Sequence, residues 1–144
     1  MTIITGVTSS FLGELATNIH VVGTDQYMCA LYTSLASLNP VSLSTYITGE
    51  EVEGDNYTAG GVNVTVSIDT TTYDWPVFDI SNAVFTDWAG TSRGAVVYNS
   101  DKANRSFLIL DFGQDYAFPG GTTIVFPTIT SLETAIVRMI GTVG

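Results

Sequence analysis

The stretch Val62-Asn63-Val64-Thr65-Val66-Ser67-Ile68 alternates apolar and polar side chains without a break. Successive side chains of a β-strand point to opposite faces of a sheet, so this period of two predicts a strand with one buried and one exposed face. It is the clearest strand pattern in the chain. An acidic loop over residues 49–61 precedes it and ends in Gly60-Gly61.

Further strands are predicted on both sides of this run. They cover residues 27–33, two segments within 73–89 that join near Ser81-Asn82, and residues 93–98, 106–112 and 123–126. Both faces of the segment 106–112 are apolar, which predicts a central strand. Short strands separated by turn signals indicate a mainly β fold, namely an antiparallel β-sandwich or barrel.

One helix is predicted near the N-terminus, over residues 10–23. Phe11, Leu15 and Ile19 recur at a spacing of four residues, which places them on one face of a helix. Ser9 or Ser10 can cap its start, and Gly23 can end it. The helix is expected to cover one end of the sheet. A docking helix for a neighbouring subunit is the alternative.

The remaining segments complete a single domain over residues 1–144. Residues 1–9 are interpreted as an extended arm, residues 27–127 as the β domain and residues 128–144 as a C-terminal element. Within that element, Thr130 and Glu133 match a capping box and favour a helix over residues 132–140, whereas Ile136 and Val137 favour a strand. The pattern leaves both alternatives open.

Composition narrows the function. The chain has 144 residues and a net charge of -10, from 14 acidic and 4 basic side chains. Nucleic-acid binding requires clustered Lys and Arg that neutralise phosphates, and the four cations are scattered, so no nucleic-acid partner is expected. No run of about 18 apolar residues is present, so no membrane span is expected either.

The residues that carry enzyme chemistry are scarce. Cys29 is the only cysteine and His20 the only histidine, so neither a catalytic triad nor a zinc site is expected. We therefore predict no enzyme activity, no cofactor and no metal. Four carboxylates cluster in the acidic loop, at Glu50, Glu51, Glu53 and Asp55. A solvated loop is the first interpretation, and weak calcium binding or a glycosidase pair are the alternatives.

Aromatic residues supply the candidate contact surfaces. Trp75 and Trp88 are expected in the core, since large aromatic side chains bury much apolar area. Seven residues are candidates for a protein interface, three from the predicted helix and four tyrosines: Phe11, Leu15, Ile19, Tyr27, Tyr32, Tyr46 and Tyr57.

Several short motifs follow one another in a fixed order along the chain. They are Ala30-Leu31-Tyr32-Thr33-Ser34, the turn Gly49-Glu50-Glu51-Val52-Glu53-Gly54-Asp55-Asn56-Tyr57-Thr58-Ala59-Gly60-Gly61, then Gly94-Ala95-Val96-Val97-Tyr98-Asn99 and Leu110-Asp111-Phe112-Gly113. In this order the chain resembles a family of small structural proteins of tailed-bacteriophage virions. The resemblance extends from about Phe11 to about Pro127.

The resemblance implies a non-enzymatic virion protein that is made in the host bacterial cytoplasm. A capsid decoration (cement) protein is the first expectation, with the major capsid protein and neighbouring copies of the chain as partners in a homo-oligomer. The acidic charge favours the outer capsid surface over contact with packaged DNA. The alternatives are a tail component (an adaptor, tube-associated or fibre protein) and, behind it, a carbohydrate-binding module or small glycosidase.

Overall fold

A computed structural model describes residues 2–69, 71, 77–124 and 137–138 of the chain. The fold is mainly β with antiparallel sheets and one short helix near the N-terminus, as the sequence predicts. In chain order the elements are β1 (Gly6–Val7), α1 (Ser9–Ala16), β2 (Tyr27–Tyr32), β3 (Val62–Val64), β4 (Val66–Asp69), β5 (Val77–Ile80), β6 (Ala83–Phe85), β7 (Ala89–Asn99), β8 (Arg105–Pro119), β9 (Thr122–Ile124) and β10 (Val137–Arg138).

The main sheet has five strands in the order β1-β8-β7-β2-β3, and every neighbouring pair is antiparallel. The hairpin of β7 and β8 forms its centre, which confirms the prediction of a central strand at 106–112. Two smaller sheets have the orders β10-β5-β4 and β6-β9 among the described residues.

Both faces of the main sheet are buried. Along β2, Cys29 and Leu31 belong to one apolar cluster, whereas Ala30 and Tyr32 belong to a second cluster. Since side chains alternate across a strand, the two clusters lie on opposite faces of the sheet. The first cluster is aromatic and is closed by α1, β4, β5 and β6, and we call this side the aromatic cover. The second is closed by residues 2–4 and 34–47.

The alternating run at residues 62–68 is β-structured, as predicted, but it is not one strand. It divides at Thr65, so that β3 joins the main sheet through β2 and β4 pairs with β5 in another sheet. The Thr65 N–H donates to Ser81 Oγ (2.8 Å), and the Thr65 carbonyl accepts from the Ser81 N–H (2.9 Å). Val64 and Val66 nevertheless remain buried in the same cluster. The run therefore connects two packed sheets and keeps its apolar face inward.

The helix is shorter than the sequence predicts. It begins after the N-cap Thr8, whose Oγ1 accepts from the Phe11 N–H, and it ends at the C-cap Thr17 instead of Gly23. Asn18 adopts a left-handed conformation with φ of 63°, which ends the helical backbone there. Ile19 therefore lies outside the helix, and the predicted face reduces to Phe11 and Leu15.

The arm and the two predicted strands near Ser81 also differ from expectation. The arm belongs to the sheet, because Gly6 and Val7 pair with Ile109 and Leu108 of β8. Strands β5 and β6 both exist, but they belong to different sheets. Of the C-terminal element, only β10 lies within the described residues, and it pairs with β5. The predicted strand at 123–126 is described as far as Ile124.

A bulge interrupts the central hairpin of β7 and β8. Ser92 is opposite Tyr116 while Gly94 is opposite Asp111, so residues 112–115 of β8 face only Arg93. Asp111 Oδ1 accepts from the Gly113 N–H (2.9 Å) and from Arg93 Nε (2.9 Å). Gly113 has a φ of 84°, which glycine adopts without strain. The Leu110–Gly113 motif thus forms the bend of this hairpin.

Candidate docking surface

The structure corrects the list of candidate interface residues. Phe11, Tyr27 and Tyr32 each have 0% of their surface exposed, so their side chains form the core and are not available to a partner. Leu15 is partly buried against the aromatic cluster. Ile19 is also partly buried. The physical reason is that the sheet is covered on both faces, so aromatic side chains of either face fill the interior.

The other two candidate tyrosines are held by internal contacts. The Tyr46 hydroxyl donates to the Glu51 carboxylate (2.8 Å to Oε2), and its ring stacks on Tyr98 with centroids 4.7 Å apart. The Tyr57 hydroxyl accepts from the Leu31 N–H (3.0 Å). Burial raises the pKa of Tyr46, and its hydrogen bond to Glu51 raises that pKa further. These hydroxyls hold the fold together.

The acidic loop is ordered by the same contacts. The Glu51 carboxylate accepts from the Gly60 N–H (2.7 Å) as well as from Tyr46. The Tyr98 hydroxyl donates to the Gly60 carbonyl (2.6 Å), and burial raises the pKa of Tyr98 to about 12. Within the described residues, no group of three or more His, Cys, Asp or Glu is placed to hold a metal ion. Glu51 is therefore a structural residue of the loop.

The two side chains with the most reactive groups, Cys29 and His20, are inaccessible or engaged in hydrogen bonds. Cys29 is fully buried, and burial raises the pKa of its thiol to about 12. His20 is 4% exposed and uses both ring nitrogens. Its Nε2 lies 3.0 Å from Glu14 Oε1, and its Nδ1 lies 3.0 Å from Asn99 Nδ2. Because Asn99 Nδ2 is a donor, Nδ1 accepts and Nε2–H donates to Glu14. Both residues have structural roles.

Three of the four cationic side chains can be placed, and each is paired with a carboxylate. Arg93 pairs with Asp111, Lys102 with Asp25 and Arg105 with Glu14. The side chain of Arg138 lies outside the described residues. Since these three cations are already neutralised by the protein itself, they form no basic patch for phosphate.

Two segments that lie together contain no charged side chain. Residues 2–13 and 34–48 contain no Asp, Glu, Lys or Arg, although the chain has 18 such residues. The two segments lie together, because the Ile4 N–H donates to the Leu38 carbonyl (2.9 Å) and the Ser9 N–H donates to the Pro40 carbonyl (2.8 Å). We call these two segments the uncharged layer.

Hydroxyl groups fasten the uncharged layer to the sheet. Ser106 Oγ donates to the Leu43 carbonyl (2.9 Å), and the Tyr32 hydroxyl donates to the Ile47 carbonyl. The Ser106 N–H donates to the Ser44 carbonyl (3.0 Å). Within the layer, the side chains of Ala36 and Leu38 are buried against the sheet. The layer is therefore ordered, although most of it is irregular backbone.

The uncharged layer also holds most of the exposed apolar side chains. Nine large hydrophobic residues are exposed in the described part of the chain, and five of them belong to this layer: Ile4, Leu12, Leu35, Val41 and Ile47. Exposed apolar side chains on segments that carry no charged residue are typical of a protein–protein contact. Apolar periodicity does not reveal these residues, because segment 34–48 has no regular period. The signal that could have found them is charge, since Glu14 and Asp25 are the only charged residues before Gly49.

No helix in the described residues is long and apolar enough to cross a membrane. Comparison with protein-family models, with curated proteins and with solved structures finds no match to this chain.

Proposed function

We propose that this chain is a non-enzymatic structural protein of a tailed-bacteriophage virion, and that it decorates the outer surface of the capsid. The uncharged layer is the surface that contacts the major capsid protein, and copies of the chain stand beside one another on the shell as a homo-oligomer. The observation that carries this proposal is the concentration of exposed apolar side chains in the uncharged layer, which holds five of the nine large hydrophobic residues exposed in the described part of the chain.

The physical case rests on the contrast between this layer and the rest of the chain. The cores of protein interfaces are depleted in charged residues, because an unpaired charge loses its hydration on burial. All 14 acidic residues lie outside the layer, so the two docking segments themselves bring no carboxylate into the contact. The net charge of -10 repels packaged DNA, which favours the outside of the shell. A shell offers many identical sites, so linked copies need only weak individual contacts.

The sequence resemblance supports the virion context, and its motif residues have identifiable roles in the fold. Tyr57 holds the acidic loop to β2, and Asp111 and Gly113 form the bend of β8. Gly61 crosses directly over β2, where an added Cβ would overlap the Cys29 carbonyl. These residues build the scaffold that presents the uncharged layer, which is consistent with a structural protein.

Copy number in purified particles tests the proposal. Quantitative mass spectrometry against the major capsid protein should give a ratio close to that of a shell component. A few copies per particle would instead favour the tail component, and absence from particles would refute both virion assignments.

The docking surface needs a variant that stays folded. Val41 is 79% exposed, so Val41→Asp should keep the fold and lose particle binding. Val84→Asp is the matched control, since Val84 is 51% exposed and lies outside the uncharged layer. If Val41→Asp binds particles as the wild type does, a different surface carries attachment.

A further inference from the structure

The uncharged layer also indicates what kind of surface it binds. A partner patch rich in Lys and Arg would be complemented by carboxylates, and this chain has four in the loop 50–55 alone. The layer contains none. Arg93 and Asp111, which line a pocket with residues of the layer, already pair with each other. A charge on the partner that meets the layer would therefore face side chains that cannot neutralise it, and burying an unpaired charge is strongly unfavourable.

The groups that the layer does present are apolar side chains and hydroxyls. Ile4, Leu35 and Val41 are exposed, with 43%, 60% and 79% of their surface accessible. Exposed hydroxyl-bearing residues lie close to Leu35 and Val41 in the sequence, at Ser34, Ser37, Ser42, Ser44 and Thr45. A hydroxyl both donates and accepts hydrogen bonds, so it pairs with uncharged polar groups at little cost.

We infer that the patch of the capsid shell that receives this layer is itself uncharged, and that attachment is driven by removal of apolar surface from water and not by ion pairs. This inference rests on the proposed function, because it names the chemistry of the partner at the same surface. It goes beyond that function in predicting how attachment responds to salt and to the sign of an added charge.

Salt distinguishes an uncharged contact from an ionic one. The screening length falls from about 14 Å at 0.05 M salt to about 3 Å at 1 M, which weakens ion pairs at a protein surface. An apolar contact is not weakened in this way, and sulfate strengthens it. The salt also screens repulsion between acidic copies on neighbouring sites. Attachment is therefore expected to hold or to tighten as ionic strength rises.

The experiment measures binding of the full chain to particles that lack it, at 0.05 M and 1 M NaCl, for the wild type and for a pair of charge insertions. Val41→Lys and Val41→Glu place opposite charges at one exposed position. We expect each to weaken binding by about tenfold or more, and by the same factor within about threefold, because either charge would be buried without a partner. Val84→Lys and Val84→Glu, outside the layer, should bind as the wild type does.

The possible outcomes distinguish the inference of an uncharged shell patch from the proposed attachment to the particle. If Val41→Glu tightens binding while Val41→Lys weakens it, and salt weakens the wild type, the shell patch is basic and the inference is wrong although attachment is real. If both Val41 variants bind normally, the layer is not the contact surface and the inference falls with it. If the wild type binds no particle under any salt condition, the proposed function itself is refuted.

Discussion

The two faces of the main sheet are covered in different ways. The aromatic cover packs Phe11, Phe78 and Phe107 against one another, with the Phe11 and Phe107 rings 4.3 Å apart. The other face is covered by residues 2–4 and 34–47, the part of the uncharged layer outside β1 and α1. This part is mostly irregular backbone, and hydroxyl groups and the buried side chains of Ala36 and Leu38 hold it in place.

This difference indicates a division of labour between stability and contact. The hydrophobic effect is non-directional and is the dominant favourable contribution to folding. The aromatic cover can therefore stabilise the fold whatever outer surface it presents. Hydrogen bonds fix geometry and contribute less net free energy, about 1 kcal/mol each. A layer fixed by such hydrogen bonds presents defined positions to a partner.

The largest expected effect comes from truncating the aromatic cover. Phe107 is fully buried and contacts three other aromatic rings. Phe107→Ala should lower the free energy of unfolding by about 3–5 kcal/mol, because it leaves a cavity as well as losing buried area. Chemical denaturation followed by tryptophan fluorescence measures the change.

A control variant keeps this prediction testable if the alanine variant does not fold. Phe107→Leu preserves most of the volume and should cost less than about 1.5 kcal/mol. If both variants lowered the free energy of unfolding equally, packing in the aromatic cover would not be the source of the stability.

The sequence predicted the aromatic cover better than the uncharged layer. The apolar runs of β2 and β8 are local features of the sequence, so the pattern of apolar residues identifies these strands. The division of the run 62–68 at Thr65 could not be predicted from periodicity, because Val64 and Val66 keep the same face on both sides of it. What divides it is a pair of hydrogen bonds to Ser81, sixteen residues later.

The candidate site was predicted poorly for a related reason. An aromatic residue can fill a core or form an interface with the same pattern, and only the presence of a second cover decides between them. Nothing local in the sequence shows that residues 34–47 close over Tyr32, so its pattern is compatible with an interface as well as with the core. Val41 was overlooked because its segment has no period, although the absence of charge around it is visible in the sequence.

The next largest effect is expected from Gly61→Ala, which tests how closely the acidic loop approaches the main sheet. Gly61 has a φ of 87°, and a Cβ there would overlap the Cys29 carbonyl of β2. Gly61→Ala should therefore destabilise the protein by about 2–4 kcal/mol, from backbone strain and steric overlap together. Thermal unfolding followed by circular dichroism measures it.

A second glycine provides the matched control for this substitution. An added Cβ at Gly13, within α1, meets nothing within 4 Å. Gly13→Ala should therefore stabilise the protein by about 0.5–1 kcal/mol, as expected in a helix interior. The two substitutions should change the stability in opposite directions. If Gly61→Ala leaves the stability unchanged, the loop does not pack on β2 as described.

A smaller, local effect is expected from the hydroxyl of Tyr46. Tyr46→Phe removes the hydrogen bond to Glu51 and keeps the ring on Tyr98, so it should cost about 1–2 kcal/mol. Hydrogen exchange should accelerate at the amides of residues 44–48 and stay unchanged in β7 and β8. Tyr116→Phe, at a tyrosine 47% exposed, is the control and should change stability by less than about 0.5 kcal/mol. Faster exchange throughout the sheet would show that the two covers are not independent.

The smallest effect concerns acid, which acts on carboxylates and therefore on residues outside the uncharged layer. The Gly113 N–H and the Arg93 guanidinium lower the pKa of Asp111 below its ordinary value. The unfolded chain, with an Asp pKa near 3.9, then binds the proton more tightly than the folded protein does, so this contribution is present above about pH 5 and is lost as the pH falls through the folded pKa. Both side chains of the pair are about a quarter to a third exposed, at 26% and 34%, so solvent screens their interaction.

Asp111→Asn keeps an acceptor for Gly113 and removes only the charge, and it should cost less than about 1 kcal/mol at pH 7. The measurement is urea denaturation of both proteins between pH 3 and pH 7, where the two curves should converge at the acidic end. A gap of constant size would mean that geometry, and not charge, is what Asp111 contributes to the bend of β8.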